Sequence, residues 1–319
     1  MTNEQTIPNP FEGIIGQNKA KKQINFYRRG YNATGILPHL LFVAPKGCGK
    51  TMLAKAVKET LMSRENPEKS KKFLEINCST LRNVKQFFNQ IMIPHVQHEE
   101  VTILFDESSE IPHDVSMALL TCLNPNKHNR NEFSYEDYTV EIDFSRHTFM
   151  FATTEVQTMF HALIDRCKRI DLEEYSLKQL GQILKVNLEG IEFEEGLMSD
   201  IASTLRGNAR KAVQTANDIS SYMAAEERGY FTRKDWDLFK DELGIEPLGL
   251  SPIEIQLLEI LNDKPECSLT YLSAKTGMTK AAVQRDIEMY LLKNDLMEIG
   301  TGGRKITSNG RETLEVVNG

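Results

Sequence analysis

The chain has 319 residues, a net charge of −7 and an apolar fraction of 40%, the profile of a soluble globular protein of two or three domains. No apolar run approaches the roughly 18 residues that span a bilayer, and the N-terminal Met1–Gln5 has neither a basic nor an apolar leader pattern, so a cytoplasmic protein is predicted. The negative charge excludes a global attraction to nucleic acid; any such binding needs a local basic patch.

Residues 1–10 are polar, contain two prolines and are expected to be disordered. From Phe11 to about 174, short apolar runs alternate with helical patterns. The strand candidates are Leu40–Val43, Phe73–Asn77, Val101–Phe105, Phe149–Thr153 and Arg169–Leu172. This alternation predicts an α/β fold with a mostly parallel sheet covered by helices on both faces.

The first strand candidate runs into Lys46-Gly47-Cys48-Gly49-Lys50-Thr51 and then a helical segment from Met52. A buried strand, a glycine-rich turn and a helix N-terminus together bind nucleotide phosphates: turn N–H groups point inward and the helix dipole favours negative charge. Pro45, Lys46, Gly47, Cys48, Gly49, Lys50, Thr51 and Met52 are the predicted cofactor-binding stretch, with Lys50 reaching the β- and γ-phosphates of ATP. Ala44 stands where the full pattern has its first glycine, which requires a negative φ there. The other reading is an ordinary strand–turn–helix with a surface lysine.

Val101–Phe105 ends in Asp106 and Glu107. A strand that delivers two acids to the sheet edge beside a phosphate loop suits Mg²⁺ binding by Thr51 and Asp106, and activation of water by Glu107. The apolar run at Phe149 ends in Thr153-Thr154; Thr154 either touches the γ-phosphate or the attacking water, or belongs to an ordinary strand-end turn. Between these strands, Asn124–Asn131 is turn-rich, and residues 130–145 then alternate as a hairpin. Arg166 lies near the start of the last strand candidate. It either reaches the nucleotide of a neighbouring subunit as an arginine finger or pairs with Asp165 on the surface. Gly207-Asn208-Ala209-Arg210 opens a helix, and Arg210 either contacts the γ-phosphate or is a surface arginine.

From Ser176 to Leu243 the pattern is helical throughout, with segments at Leu177–Asn187, Gly196–Leu205 and Ala209–Ala225; this predicts a helical lid at 175–246. Glu246-Pro247-Leu248-Gly249 reads as a linker. Beyond it, Pro252–Asn262, Leu269–Thr276 and Lys280–Lys293 read as helices, and Leu296–Thr307 as two strands around a glycine-rich turn. Three helices and a hairpin describe a winged helix at 249–319. It holds eight Lys or Arg against ten Asp or Glu, so it is not basic overall. Arg304, Lys305, Lys280 and Arg285 are nevertheless the candidates for DNA phosphate contacts; a protein-binding winged helix is the other reading. The five cysteines are scattered with no C-x-x-C, as in a protein with reduced thiols and no zinc site.

With these motifs in place, the chain resembles the AAA+ ATPases, and within them the RuvB family of ring motors that drive Holliday-junction branch migration. The resemblance runs from about Phe11 to the C-terminus. It implies that Ile14 and Ile15, in Ile14-Ile15-Gly16-Gln17, lie beside the adenine, that Ala152-Thr153-Thr154 is sensor 1, that Asp165-Arg166 is the finger motif, and that Gly207–Arg210 is sensor 2. It further implies a homo-oligomeric, hexameric ring acting on branched or duplex DNA, with a RuvA-like partner docked on the 130–145 hairpin. The chain departs from the family at Ala44, at Ser108-Ser109-Glu110, and in a hairpin tip read as polar and Asn-rich, where Phe133 and Tyr135 are the apolar residues available for docking. A clamp-loader or helicase-loader role, and a nucleotide-dependent operator-binding protein, are the other functional classes open to this pattern.

Overall fold

The computed structural model describes residues 9–318; the expected disorder at 1–10 therefore falls mostly outside the described residues. Two compact units are present. One contains the chain up to Gln179 together with Gly207–Lys211; the other contains Leu180–Arg206 and the chain from Ala212 onward.

The first unit opens with helix α1 (Asn18–Thr34), which the sequence reading passed over, followed by β1 (Leu40–Val43), α2 (Lys50–Lys58) and β2 (Lys72–Asn77). Helix α3 (Val84–Phe87) runs into a π-wound turn at Phe88–Val96, and then come β3 (Val101–Asp106), α4 (His113–Cys122), the hairpin of β4 (Arg130–Tyr135) and β5 (Tyr138–Asp143), β6 (Thr148–Thr153), α5 (His161–Ile164) and β7 (Lys168–Asp171). Five strands form one sheet in the order β2-β3-β6-β1-β7, and every pairing in it is parallel. The central strands are apolar at successive positions because both faces are covered. Leu41, Ile103, Phe105, Phe149 and Phe151 enter the core on one face. Leu40, Phe42, Leu104, Met150 and Ala152 enter the core on the other. Phe105 stacks on Phe151 with ring centroids 5.1 Å apart, locking β3 to β6 near their carboxyl ends.

The hairpin differs from its sequence reading. Its turn is Glu136-Asp137, while the Asn-rich run forms its root. Phe133 and Tyr135 are turned inward: their rings lie 5.6 and 5.4 Å from that of Phe88. They are partly buried against the core and are not docking residues at a tip. The strand period of two sends every second residue to the core, and these two share the inner face with buried Val140 and Ile142.

In the second unit, α6 (Leu177–Asn187, whose first turn counts with the first unit), β8 (Glu192–Phe193), α7 (Leu197–Ser203), α8 (Ala209–Ala225, whose start up to Lys211 also counts with the first unit), β9 (Tyr230–Phe231) and α9 (Arg233–Leu243) precede the winged helix. The expected all-helical segment is broken by β8 and β9, which pair in parallel. Around this bridge Tyr222 and Phe239 meet Phe231 edge to face, Phe193 meets it at a tilt, and Trp236 stacks on Phe239. The winged helix comprises α10 (Pro252–Asp263), α11 (Leu269–Thr276), α12 (Lys280–Ala282) continuing through a π-wound Val283–Glu288 into α13 (Met289–Lys293), β10 (Met297–Ile299), β11 (Arg304–Ile306) and a last helix, α14 (Ser308–Asn318). The sequence reading missed α14, whose Leu314 enters the same core as Leu257, Leu261 and Ile306.

The Glu246–Gly249 linker is not a loose tether. Gly249 has φ +66°, and a Cβ there would lie 2.1 Å from the Thr204 carbonyl oxygen, so only glycine fits. Beside it, Arg206 makes a two-pronged pair with Glu254 (2.9 and 2.8 Å), and its guanidinium lies 3.4 Å from the centre of the Tyr290 ring. Glu254 is 1% exposed and also accepts from Ser251 N and Oγ, capping α10. One carboxylate thus holds the lid segment and starts a winged-helix helix. Glu254→Ala strands the Arg206 charge and removes the cap, and is expected to cost about 3 kcal/mol, less than a fully buried pair because Arg206 reaches solvent. Trp236, the only tryptophan, is buried in this unit, so its fluorescence during urea unfolding checks the value.

Candidate active site

The strand order places β6 between β3 and β1, which brings the ends of all three together on the carboxyl edge of the sheet. From β1, Ala44 continues the sheet: its N–H donates to the Thr153 carbonyl (3.3 Å). Ala44 is not among the residues with positive φ, so the missing glycine costs nothing there. The turn follows with Gly47 at φ +78° and Gly49 at φ +90°, the left-handed conformations for which glycine is needed. A Cβ on Gly47 would sit 1.9 Å from Asn208 Oδ1, and the Ala209 N–H donates to the Gly47 carbonyl (3.0 Å). Asn208 also caps α8, accepting from the Arg210 and Lys211 N–H groups (2.9 and 3.2 Å). The sensor 2 candidate is thereby fastened to the phosphate loop by backbone and side chain together.

Lys50 is 8% exposed. Its Nζ donates to the Ala44 and Pro45 carbonyls (2.9 and 3.2 Å). Burial pushes its pKa down; the nearby carboxylates of Glu107 and Asp106 oppose that, and Arg210 reinforces it. All four charged groups therefore share one electrostatic neighbourhood. Thr51 Oγ1 donates to Asp106 Oδ2 (3.1 Å), and Asp106 Oδ1 accepts the Glu107 N–H (3.0 Å). Glu107 itself has φ +53°, an uncommon left-handed value for a non-glycine residue, and such strain clusters at functional positions. Ser108, one of the departures from the family pattern, stitches the strand ends: its Oγ donates to the Phe105 carbonyl (2.6 Å) and accepts the Ala152 N–H (3.1 Å). Thr153 is fully buried, its Oγ1 capping the next turn through the Glu155 N–H (3.0 Å). Thr154 is the partly exposed hydroxyl of the pair.

The residues present fit a nucleotide and Mg²⁺. The glycine cradle leaves no room for side chains, and the buried Tyr175 hydroxyl has no hydrogen-bond partner while lying 3.1 Å from the position a Gly49 Cβ would take. A hydroxyl and a single carboxylate, Thr51 and Asp106, are the donors expected of a magnesium site completed by phosphate oxygens and water. No cluster of three or more His, Cys, Asp or Glu suited to a metal occurs among the described residues. Gln17 is a contributor that sequence reasoning left without a role: its Nε2 donates to the Cys48 and Glu173 carbonyls (3.3 and 2.7 Å), and its Oε1 accepts the Glu173 N–H (3.0 Å). Asn208 carried a helix-cap signal in the sequence; Tyr175 carried none. Ile14 packs against the core beside the loop, and Ile15 is half-buried. Pro45, Lys46 and Met52 are exposed, whereas Cys48 is 1% exposed and packs in the core.

Arg166 lies elsewhere. It precedes β7, which runs parallel to β1, so it sits at the amino edge of the sheet, opposite the phosphate loop. Its guanidinium donates to the Ala162 carbonyl (2.8 Å) and to Asn124 Oδ1 (3.1 Å).

The basic candidates of the winged helix divide. Arg304 is corrected: its side chain is 14% exposed and pairs twice with buried Glu288 (2.8 and 3.1 Å), so its charge is turned into the domain and not held out at the wing. The wing tip is Gly300–Gly303, ahead of Arg304. Lys305 pairs with Glu266 (3.3 Å), both half-buried, and Arg285 with Asp286 (2.8 Å), both exposed, and Lys280 is exposed. Among the described residues, no helix is long and apolar enough to cross a membrane.

Residues 40–175 match the model of the ATPase family associated with various cellular activities (AAA), and residues 247–315 match the RuvB C-terminal winged helix domain. Over 98% of its length the chain is 21% identical to the Holliday junction branch migration complex subunit RuvB of Neorickettsia sennetsu, covering 93% of that protein. To the protein of the same description from Mycoplasmopsis pulmonis it is 26% identical, with 99% of each covered. Among solved structures, the Thermotoga maritima RuvB Holliday junction branch migration motor superposes with a TM-score of 0.74 over 97% of both chains at 19% identity, a likeness of fold.

Proposed function

Since the chain joins an AAA ATPase domain to a RuvB-type winged helix, we propose that it is an ATP-driven motor that works as a hexameric ring on Holliday junctions or related branched DNA. Its working parts are the ATPase domain at 11–174, the lid at 175–246 and the winged helix at 249–319. The observation that carries this reading is the joining of Lys50, Thr51, Asp106 and Glu107 in one neighbourhood, a hydrolytic set that a nucleotide-dependent binding protein would not need.

Lys50 and the N–H groups of the loop hold the β- and γ-phosphates. Thr51 and Asp106 hold Mg²⁺, which when bound neutralises phosphate charge. Glu107 orients the attacking water and accepts its proton. Thr154 and Arg210 sense the γ-phosphate. Arg166, at the opposite sheet edge, serves the neighbour's nucleotide, which is why the site needs a ring. In the winged helix, Lys280, Arg285 and Lys305 remain the phosphate contacts. The exposed hairpin is the docking place for a RuvA-like partner; its turn is acidic, with Glu136 and Asp137, and Tyr138 beside them is 53% exposed.

The test is steady-state ATPase with no DNA, with linear duplex and with a four-way junction. Stimulation by DNA, greatest for the junction and declining as salt displaces phosphate contacts, is expected. Hydrolysis indifferent to DNA at every ionic strength would instead point to a loader acting on a protein ring.

A further inference from the structure

The Asn-rich run at the hairpin root has no part in the nucleotide chemistry, yet it ends on Arg166. Asn124 Oδ1 accepts from the Arg166 guanidinium (3.1 Å). The Asn124 carbonyl accepts from Asn131 Nδ2 (2.8 Å), which also donates to the Cys122 carbonyl (2.9 Å). Asn131 Oδ1 accepts from Asn126 Nδ2, and that same amide donates to the Arg130 carbonyl (2.8 Å). Three amide side chains thus connect the first strand of the hairpin to the end of α4 and then to the arginine. The other anchor of Arg166 is the Ala162 carbonyl, in the preceding helix α5 (2.8 Å), and its Nε is buried without a hydrogen-bond partner.

We propose that Asn124 is a positioning residue for Arg166, with Asn131 as its anchor, so that the hairpin root sets the aim of the group presented to the neighbouring subunit. This rests on Arg166 acting across the subunit boundary. An arginine side chain has many rotamers, and a group that must meet a transferring phosphoryl loses rate when it has to be found among them. Asn suits the task chemically. A neutral amide oxygen restrains the guanidinium without neutralising it, whereas a carboxylate would compete with the phosphate for the same charge. The amide chain is also the route by which a partner on the hairpin would alter hydrolysis in the adjacent subunit.

The experiment measures kcat and KM for ATP, thermal melting and ring assembly in the full chain for Asn124→Ala, Asn131→Ala and Arg166→Ala. Asn124→Ala is expected to lower kcat ~10- to 100-fold with KM, melting temperature and assembly unchanged, and Asn131→Ala to lower kcat by a smaller factor. Should Asn124→Ala fail to fold, the isosteric Asn124→Asp takes its place and is also expected to lower kcat, by holding the guanidinium too firmly. Wild-type kcat in the Asn124 variant beside a collapsed Arg166→Ala overturns the positioning role and leaves the finger standing. Normal hydrolysis by Arg166→Ala overturns the finger reading itself. A lower melting temperature accompanied by a raised KM overturns the proposal in favour of a merely structural Asn124.

Discussion

Replacing Arg166 by Ala is expected to leave ATP binding intact and to lower steady-state hydrolysis by ~10³- to 10⁵-fold. Arg166 precedes β7, while the phosphate loop follows β1, and the two strands are parallel neighbours. A strand of four residues separates the sheet's two edges by about 13 Å, so the arginine cannot turn back onto its own nucleotide. Its present partners, the Ala162 carbonyl and the Asn124 side chain, are neutral, which leaves the charge available for a phosphate. Binding of a fluorescent ATP analogue should match wild type. The decisive measurement is complementation. Arg166→Ala subunits keep a whole site but offer no finger; Glu107→Gln subunits offer a finger but cannot activate water. Mixed together they should regain part of the hydrolysis that neither performs alone. Inactivity of the mixture at concentrations where rings assemble would place Arg166 outside the shared site.

Glu107→Gln is the second large effect. A fall in kcat of ~10²- to 10⁴-fold is expected from loss of the general base, again with ATP affinity retained, because Lys50 and the loop hold the phosphates. Glu107 leaves β3 in a left-handed conformation, with φ +53°, its N–H held by Asp106 Oδ1 and the next residue, Ser108, tied to β6. Gln keeps that geometry and removes only the ability to take a proton. The variant should therefore still assemble and bind DNA in the presence of ATP. Loss of ATP binding in Glu107→Gln would mean that the carboxylate holds the nucleotide site together and does not act on water.

The parts of this protein legible in the sequence share one property: each is carried by neighbours in the chain. The apolar runs of β1, β3 and β6 announce strands covered on both faces. Lys46–Thr51 announces a glycine turn that opens a helix, and the run from Val101 a strand that ends in two acids. Leu269–Thr276 and the helical run from Lys280 to Lys293 were legible as helices because their period and caps are local; Thr279 and Ser268, for example, cap them through N–H groups three residues on. The short paired strands β8 and β9 were not, because two residues each give no period, and α14 was hidden behind the glycine-rich wing.

Which charged group faces which partner was decided only by the tertiary structure. Arg304 looked like a wing-tip phosphate contact, but folding brings it to Glu288, sixteen residues earlier and buried. A buried carboxylate needs a counter-charge, and it claims the arginine that the sequence offered to DNA. Phe133 and Tyr135 were drawn from the hairpin to Phe88 by the same demand for burial. Gly47 is glycine because Asn208, far along the chain, occupies the space a Cβ would need. The sequence by itself determined the elements and the reactive groups, since backbone conformation and side-chain chemistry are properties of short stretches. The tertiary structure decided the pairings, since burial and charge are settled between residues that meet only after the chain has folded.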